Sequence, residues 1–109
     1  MAKKIILKGV AASAGQAVGL VKVITDPKEF KKFQEGMILV AKITDPEWLA
    51  VMVKAVAVVT NEGGLLSHPA IVCREFGIPA IVGTVKATKV LRDGQKVIID
   101  GTKGSVYEE

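Results

Sequence analysis

The chain's one histidine, His68, lies between a glycine pair, Gly63-Gly64, and a proline, Pro69, in the run Thr60 to Gly83 that also holds its one cysteine, Cys73. An imidazole can ligate a metal, move a proton or bond covalently to phosphorus. One His with one Cys cannot build a zinc site. A Ser-His-Asp hydrolase needs a serine brought from elsewhere and held against the ring, whereas Ser67 is the adjacent residue and serves better as a helix cap. A histidine at a helix start is more often a local hydrogen-bonder than a nucleophile, and beside that reading His68 is a candidate for covalent phosphoryl acceptance. Such acceptance needs backbone N–H groups to hold a doubly charged group beside the ring, and a glycine loop leading into a helix start supplies them. Gly63 and Gly64 could be a plain strand-to-helix turn, but backbone free of side chains beside a candidate acceptor favours the anion reading.

The elements that must position these residues follow from the same stretch. Val56-Ala57-Val58-Val59 has the apolar, β-branched character of a buried strand, and Asn61-Glu62-Gly63-Gly64 ends it. Ser67 then caps a helix whose first turn accepts Pro69, and Gly77 with Pro79 stops that helix before a further strand. The helical wheel places Ile71, Val72 and Phe76 on the core face with Glu75 between them, and Cys73 away from it. Glu75 there needs a hydrogen-bonding or basic partner, and Cys73 is inert for want of a basic neighbour. Arg74 lies about 9 Å along the axis from His68, which favours a structural or interface role over a phosphoryl ligand.

Thr60, Gly63, Gly64, Ser67, His68, Ala70, Ile71, Arg74, Glu75, Gly77, Ile78, Pro79, Ala80 and Gly83 together resemble the phosphohistidine (swivelling, mobile) domain of phosphoenolpyruvate-utilising enzymes, a family that includes phosphoenolpyruvate synthase and pyruvate phosphate dikinase. The resemblance implies an α/β fold, a swivelling β/β/α domain spanning residues 1–109. It implies that His68 is the phosphorylated residue, with Gly63, Gly64, Ser67 and Thr60 binding the phosphoryl group and Arg74 and Glu75 as structural support. The domain itself would bind no metal or cofactor. Magnesium with ATP, and phosphoenolpyruvate or pyruvate, would bind partner domains or chains, between which this domain carries the phosphoryl group as a phosphotransferase component. Leu65 and Leu66 depart from members that carry a basic residue and a threonine there, which bears on the donor rather than on the acceptor. A non-catalytic swivelling subunit, as in hydro-lyases of the aconitase type, and a regulatory or signalling module are the alternatives.

Composition narrows the rest. A chain of 109 residues fits one domain. Its mean hydropathy of +0.39 means either a dense core or apolar surface that meets a partner. The formal charge of +4 is carried by clusters at Lys3, Lys4 and Lys8 and at Lys28, Lys31 and Lys32, without stacking aromatics, so nucleic acid is not the expected partner. A lone cysteine points to a reducing, cytoplasmic home. Lys8 leaves the first residues too short an apolar segment for a secretory signal, and no run could span a bilayer.

Elsewhere, Ile5 to Gly9 opens a first strand, Val10 to Ala17 reads as a tight turn between strands rather than a phosphate cradle, and Gly15 to Gly19 makes a small-residue loop before a strand at Leu20 to Ile24. Asp26-Pro27 starts a short helix, and Met37 to Ala41 forms a strand. Thr44 and Glu47 are spaced as a capping box, with Ile43 and Trp48 as its staple, for a helix from Pro46 to Lys54 that buries Trp48, Leu49, Met52 and Val53. Ala87 to Leu91 is a short turn or helix. Lys96 to Ile99 and Ser105 to Tyr107 form a hairpin around Asp100 to Gly104.

Overall fold

Three short runs, Ile38–Ala41, Ala57–Thr60 and Ala80–Val82, lack the alternation that would leave one face wet, and all of their residues are buried. Strands of that kind belong at the centre of a sheet covered on both sides. The computed structural model, which describes residues 3–109, places them so. The described elements in chain order are β1 (Ile5–Lys8), β2 (Val10–Ser13), β3 (Gln16–Val23), β4 (Ile38–Ala41), α1 (Leu49–Met52), β5 (Ala57–Thr60), α2 (His68–Phe76), β6 (Ala80–Val82), α3 (Ala87–Val90), β7 (Lys96–Asp100) and β8 (Ser105–Glu108). Their order across the sheet is β1-β8-β7-β3-β4-β5-β6-β2.

Strand β3 belongs to two halves. On one side β3, β4, β5 and β6 run parallel, closed at the edge by antiparallel β2. On the other, β3 continues into the antiparallel set β7, β8 and β1. Side chains alternate along each central strand and so feed two cores. Ile38, Val40, Val59 and Ile81 pack with Val97, Ile99 and Val106 of the antiparallel half. Leu39, Ala41, Val58 and Val82 face the helices, where they meet Trp48, Met52, Ala70 and Cys73. The result is the expected β/β/α layering. Burying each large aliphatic side chain contributes about 1.5–3 kcal/mol, offset mainly by lost chain entropy.

The hairpin, the capped helix at Asp26 and the short helix at Ala87 form as the sequence suggests. Three elements differ. Val10 to Ser13 is a strand rather than turn, and β3 begins at Gln16, not Leu20. Gly19 explains why that glycine-containing run is strand: a Cβ there would come within 3.1 Å of the Gly36 carbonyl oxygen, so close approach of the chains requires it. The segment after Pro46 is a 3-10 turn, Pro46–Trp48, running into α1, and it buries Trp48, Val51 and Met52 while Leu49 and Val53 face outward. A tight 3-10 start rotates the residues that follow relative to an uninterrupted α-helix.

Candidate functional site

Strand β5 ends at Thr60, and the chain crosses a glycine loop to enter α2 at His68. Gly63 has φ +114°, a region that other residues enter only under strain, and a Cβ on it would sit 2.7 Å from the Ser67 hydroxyl oxygen. Gly83, with φ +64°, presses against the loop from β6, since a Cβ there would lie 2.8 Å from the Gly63 carbonyl oxygen. Arg74 ties the loop down from the helix side: Nη2 donates to the Leu65 carbonyl at 2.7 Å and Nη1 to that of Ala12, on β2, at 3.1 Å. At the far end, Gly77 takes the left-handed conformation, and its N–H with that of Ile78 closes the helix on the Arg74 and Cys73 carbonyls.

His68 is half-buried, and its Nδ1 lies 2.9 Å from the hydroxyl oxygen of Thr44, itself buried at the start of the preceding helical segment. That contact orients the ring and leaves Nε2 as the nitrogen without an assigned protein partner. Ser67 occupies the N-cap position but its side chain does not cap: the hydroxyl donates back to the Gly64 carbonyl at 2.7 Å. With Pro69 lacking an N–H, the first-turn N–H groups of His68 and Ala70 have neither an intrahelical acceptor nor a side-chain cap. Donors free at a helix start beside a nucleophilic nitrogen suit an anionic group bound to that nitrogen.

Four expected roles change. Thr60, expected to bind a phosphoryl group, is fully buried, and its hydroxyl donates to the Glu62 carbonyl at 2.7 Å, so it shapes the loop from below. Ser67 closes the loop rather than capping the helix. Glu75 is exposed, as are Ile71 and Phe76, whereas Cys73 and Ala70 lie fully in the core, so the helix phase is turned from the one expected. Desolvation pushes the Cys73 thiol up to about 12, which keeps it protonated and inert, though for a different reason than the one expected. Thr44 is the residue that sequence reasoning missed. Asp45 is the N-cap, accepting the Glu47 N–H at 2.9 Å, which frees Thr44 for His68. The signal was present, because a proline at the first helical position makes the residue before it the cap.

Gly64 meets nothing within 4 Å of a Cβ, so fit does not require a glycine there. Leu65 and Leu66 project from the loop, 55% and 86% exposed. Among the described residues, no three His, Cys, Asp or Glu side chains gather as metal ligands, and no helix is long and apolar enough to cross a membrane.

Residues 33–104 match the family model of the PEP-utilising enzyme mobile domain. The chain belongs to that family. It is 55% identical over 107 residues to a probable phosphoenolpyruvate synthase of Staphylothermus marinus, covering 96% of this chain and 13% of that protein. The chain thus spans about an eighth of the length of such relatives. A solution structure of Enzyme I is 32% identical with a TM-score of 0.61, covering 71% of this chain and 32% of that one. Aconitase X of Thermococcus kodakaraensis aligns with a TM-score of 0.70 over 93% of this chain and 95% of that one, at 22% identity, a likeness of fold alone.

Proposed function

We propose that this mobile domain carries a phosphoryl group on Nε2 of His68 between a nucleotide site and a phosphoenolpyruvate or pyruvate site, both on other domains or chains. The observation that carries this reading is the 2.9 Å contact between Thr44 and Nδ1. With Nδ1–H donating to the Thr44 oxygen, Nε2 holds the lone pair and attacks the donor's phosphorus. The bond from phosphorus to the donor's leaving oxygen breaks as the N–P bond forms, and that oxygen departs with the donor's electron pair. The imidazolium character that develops is stabilised through Nδ1–H, while the N–H groups of His68 and Ala70 stabilise the phosphoryl oxygens. Transfer to the acceptor reverses the step. On this reading magnesium and nucleotide bind the partner domains or chains, where they would neutralise the charge on the donor phosphates. The full-length enzyme of the matched relatives, a phosphoenolpyruvate synthase, supplies the reaction in which such carriage makes sense. A cytoplasmic setting suits the lone, unbridged thiol.

The test is labelling with radioactive phosphoenolpyruvate or γ-labelled ATP in the presence of the partner domains. The expected label is lost in acid and survives base, as nitrogen-bound phosphate does, and is absent from His68→Ala, which stays folded. Thr44→Val should label at least about 10-fold more slowly, since the ring loses the contact that orients it. Acid-stable label, or label persisting in His68→Ala, would move the chain to the alternative of a non-catalytic or regulatory swivelling module.

A further inference from the structure

The outer face of the antiparallel half carries apolar side chains that neither core uses. Strand order and register align Val18, Ile98, Tyr107 and Ile5 in one row across β3, β7, β8 and β1. Val18 is 50% exposed and Ile5 45%, and Leu20, at 46%, extends the area into the next row. Antiparallel sheets with a wet face ordinarily alternate to polar residues there. A contiguous apolar row bordered by charge is the surface expected of an interface, and it answers to the high hydropathy of the chain.

The bordering row reads Leu20, Lys96, Glu109 and Lys3, with the Glu109 carboxylate 3.8 Å from Lys96 and 3.7 Å from Lys3. We propose that this face binds a second copy of the chain, packed face to face about a two-fold axis parallel to the strands and lying between β7 and β8. That rotation lays β7 on the partner's β8 and β3 on the partner's β1. Val18 then meets the partner's Ile5, Ile98 meets the partner's Tyr107, and Lys96 meets the partner's Glu109. At these three contacts apolar groups oppose apolar groups and a cation opposes an anion, while Leu20 faces the alkyl stem of the partner's Lys3, a self-complementarity that suits a two-fold interface.

Area sets the strength. Four strands about 4.8 Å apart and five residues rising about 3.4 Å each make a face of about 300 Å². Stable interfaces bury about 800 Å² per partner, so this one is weak and reversible. The face lies on the opposite side of the parallel sheet from α2, so pairing leaves His68 uncovered in both copies. The inference stands independently of the phosphoryl-carrier reading.

Sedimentation equilibrium of the full chain from about 10 µM to 1 mM, the range for a weak dimer, tests it. The mass should climb toward twice that of the monomer. Ile98→Lys should hold it at the monomer value. Lys96→Glu and Glu109→Lys should each weaken dimerisation at least about 5-fold, and an equimolar mixture of these two variants should recover it, because both crossed contacts then carry opposite charges. The mixture decides the matter even if Ile98→Lys does not fold. A wild-type chain monomeric throughout, or a dimer indifferent to both the Ile98 change and the charge swap, would overturn the proposal and leave the row for a different protein.

Discussion

The loop from Thr60 to His68 and the turn from Asp100 to Gly104 are built from similar parts and put them to opposite use. Each follows a strand that ends in a buried residue, contains two glycines and has a side-chain oxygen folded onto its own backbone. In the turn, Asp100 is buried and its carboxylate accepts the Thr102 and Lys103 N–H groups at 3.1 and 3.0 Å and the Gln16 amide at 3.1 Å. The Gly101 N–H and the Thr102 hydroxyl oxygen are also taken, by the Gly15 carbonyl and the Gly15 N–H, so the turn is sealed onto the start of β3. In the loop, the side chains of Ser67, Thr60 and Arg74 bind the Gly64, Glu62 and Leu65 carbonyls, and the N–H groups of Asn61, Glu62 and Ser67 are taken by the Ala41, Lys42 and Gly64 carbonyls, which leaves those of Gly63, Gly64, Leu65 and Leu66 without an assigned acceptor. A turn that consumes its donors is structure. A loop that spares the donors of its glycine stretch beside a helix start can receive an anion.

The sharpest way to break this contrast is at Gly63. Its φ of +114° and the 2.7 Å approach to Ser67 mean that Gly63→Val must move the loop, reaiming the donors and pulling the Ser67 hydroxyl off Gly64. A displacement of about 1 Å can lower transfer about 100-fold. We expect phosphoryl labelling of His68 to fall at least that far while circular dichroism still shows the fold. Unimpaired labelling would mean that the loop does not hold the phosphoryl group.

Behind the loop, Cys73 separates stability from chemistry by pH. Its thiol is pushed up by desolvation from 9.0 to about 12, so the folded form keeps the proton after the unfolded chain has lost it. The stability from burying a neutral thiol is whole below pH 9 and is lost as pH rises from there toward 12, at about 1.4 kcal/mol per pH unit. Chemical denaturation of wild type and Cys73→Ala between pH 8 and 11 should show that extra slope in the wild type only, whatever the constant cost of the cavity. Equal slopes would place the thiol in contact with water.

In the turn, the effect should fall on stability alone. Asp100→Ala strands the Thr102 and Lys103 N–H groups and the Gln16 amide, at a cost of about 1–3 kcal/mol by denaturant titration. Labelling of His68 in the folded variant should be unchanged. A transfer defect larger than the loss of folded protein would show that the turn and the loop are coupled.

Much of this contrast was legible in the sequence. The strand before Asn61, the limits of α2 and the hairpin around Asp100-Gly101 follow from glycine, proline and apolar runs, whose effects are local. Thr44 was not, because a Thr-x-x-Glu spacing looks like a capping box until Pro46 is seen to hand the cap to Asp45. The phase of α2 was also hidden. Its large apolar residues, Ile71 and Phe76, are outside, and small Ala70 and Cys73 are inside, where α2 packs on β2 and β6. Periodicity counts hydrophobicity, whereas close packing selects for size.

Glu75 measures that phase directly, with the smallest expected effect. Were it on the core face, truncation would strand a buried partner and cost about 1–3 kcal/mol. Exposed in the last turn of α2, its carboxylate instead meets the negative end of the helix dipole, a mildly unfavourable placement worth about 0.3–1 kcal/mol before screening. Alanine removes that repulsion and has the higher helix propensity. Glu75→Ala should therefore leave stability unchanged or raise it by up to about 0.5 kcal/mol, less so at high salt. A loss above about 1 kcal/mol would return Glu75 to the core face, and with it Ile71 and Phe76. The loop would then sit on a helix rotated by more than a quarter turn, and Arg74 could no longer reach the Leu65 and Ala12 carbonyls that tie the loop and β2 to α2.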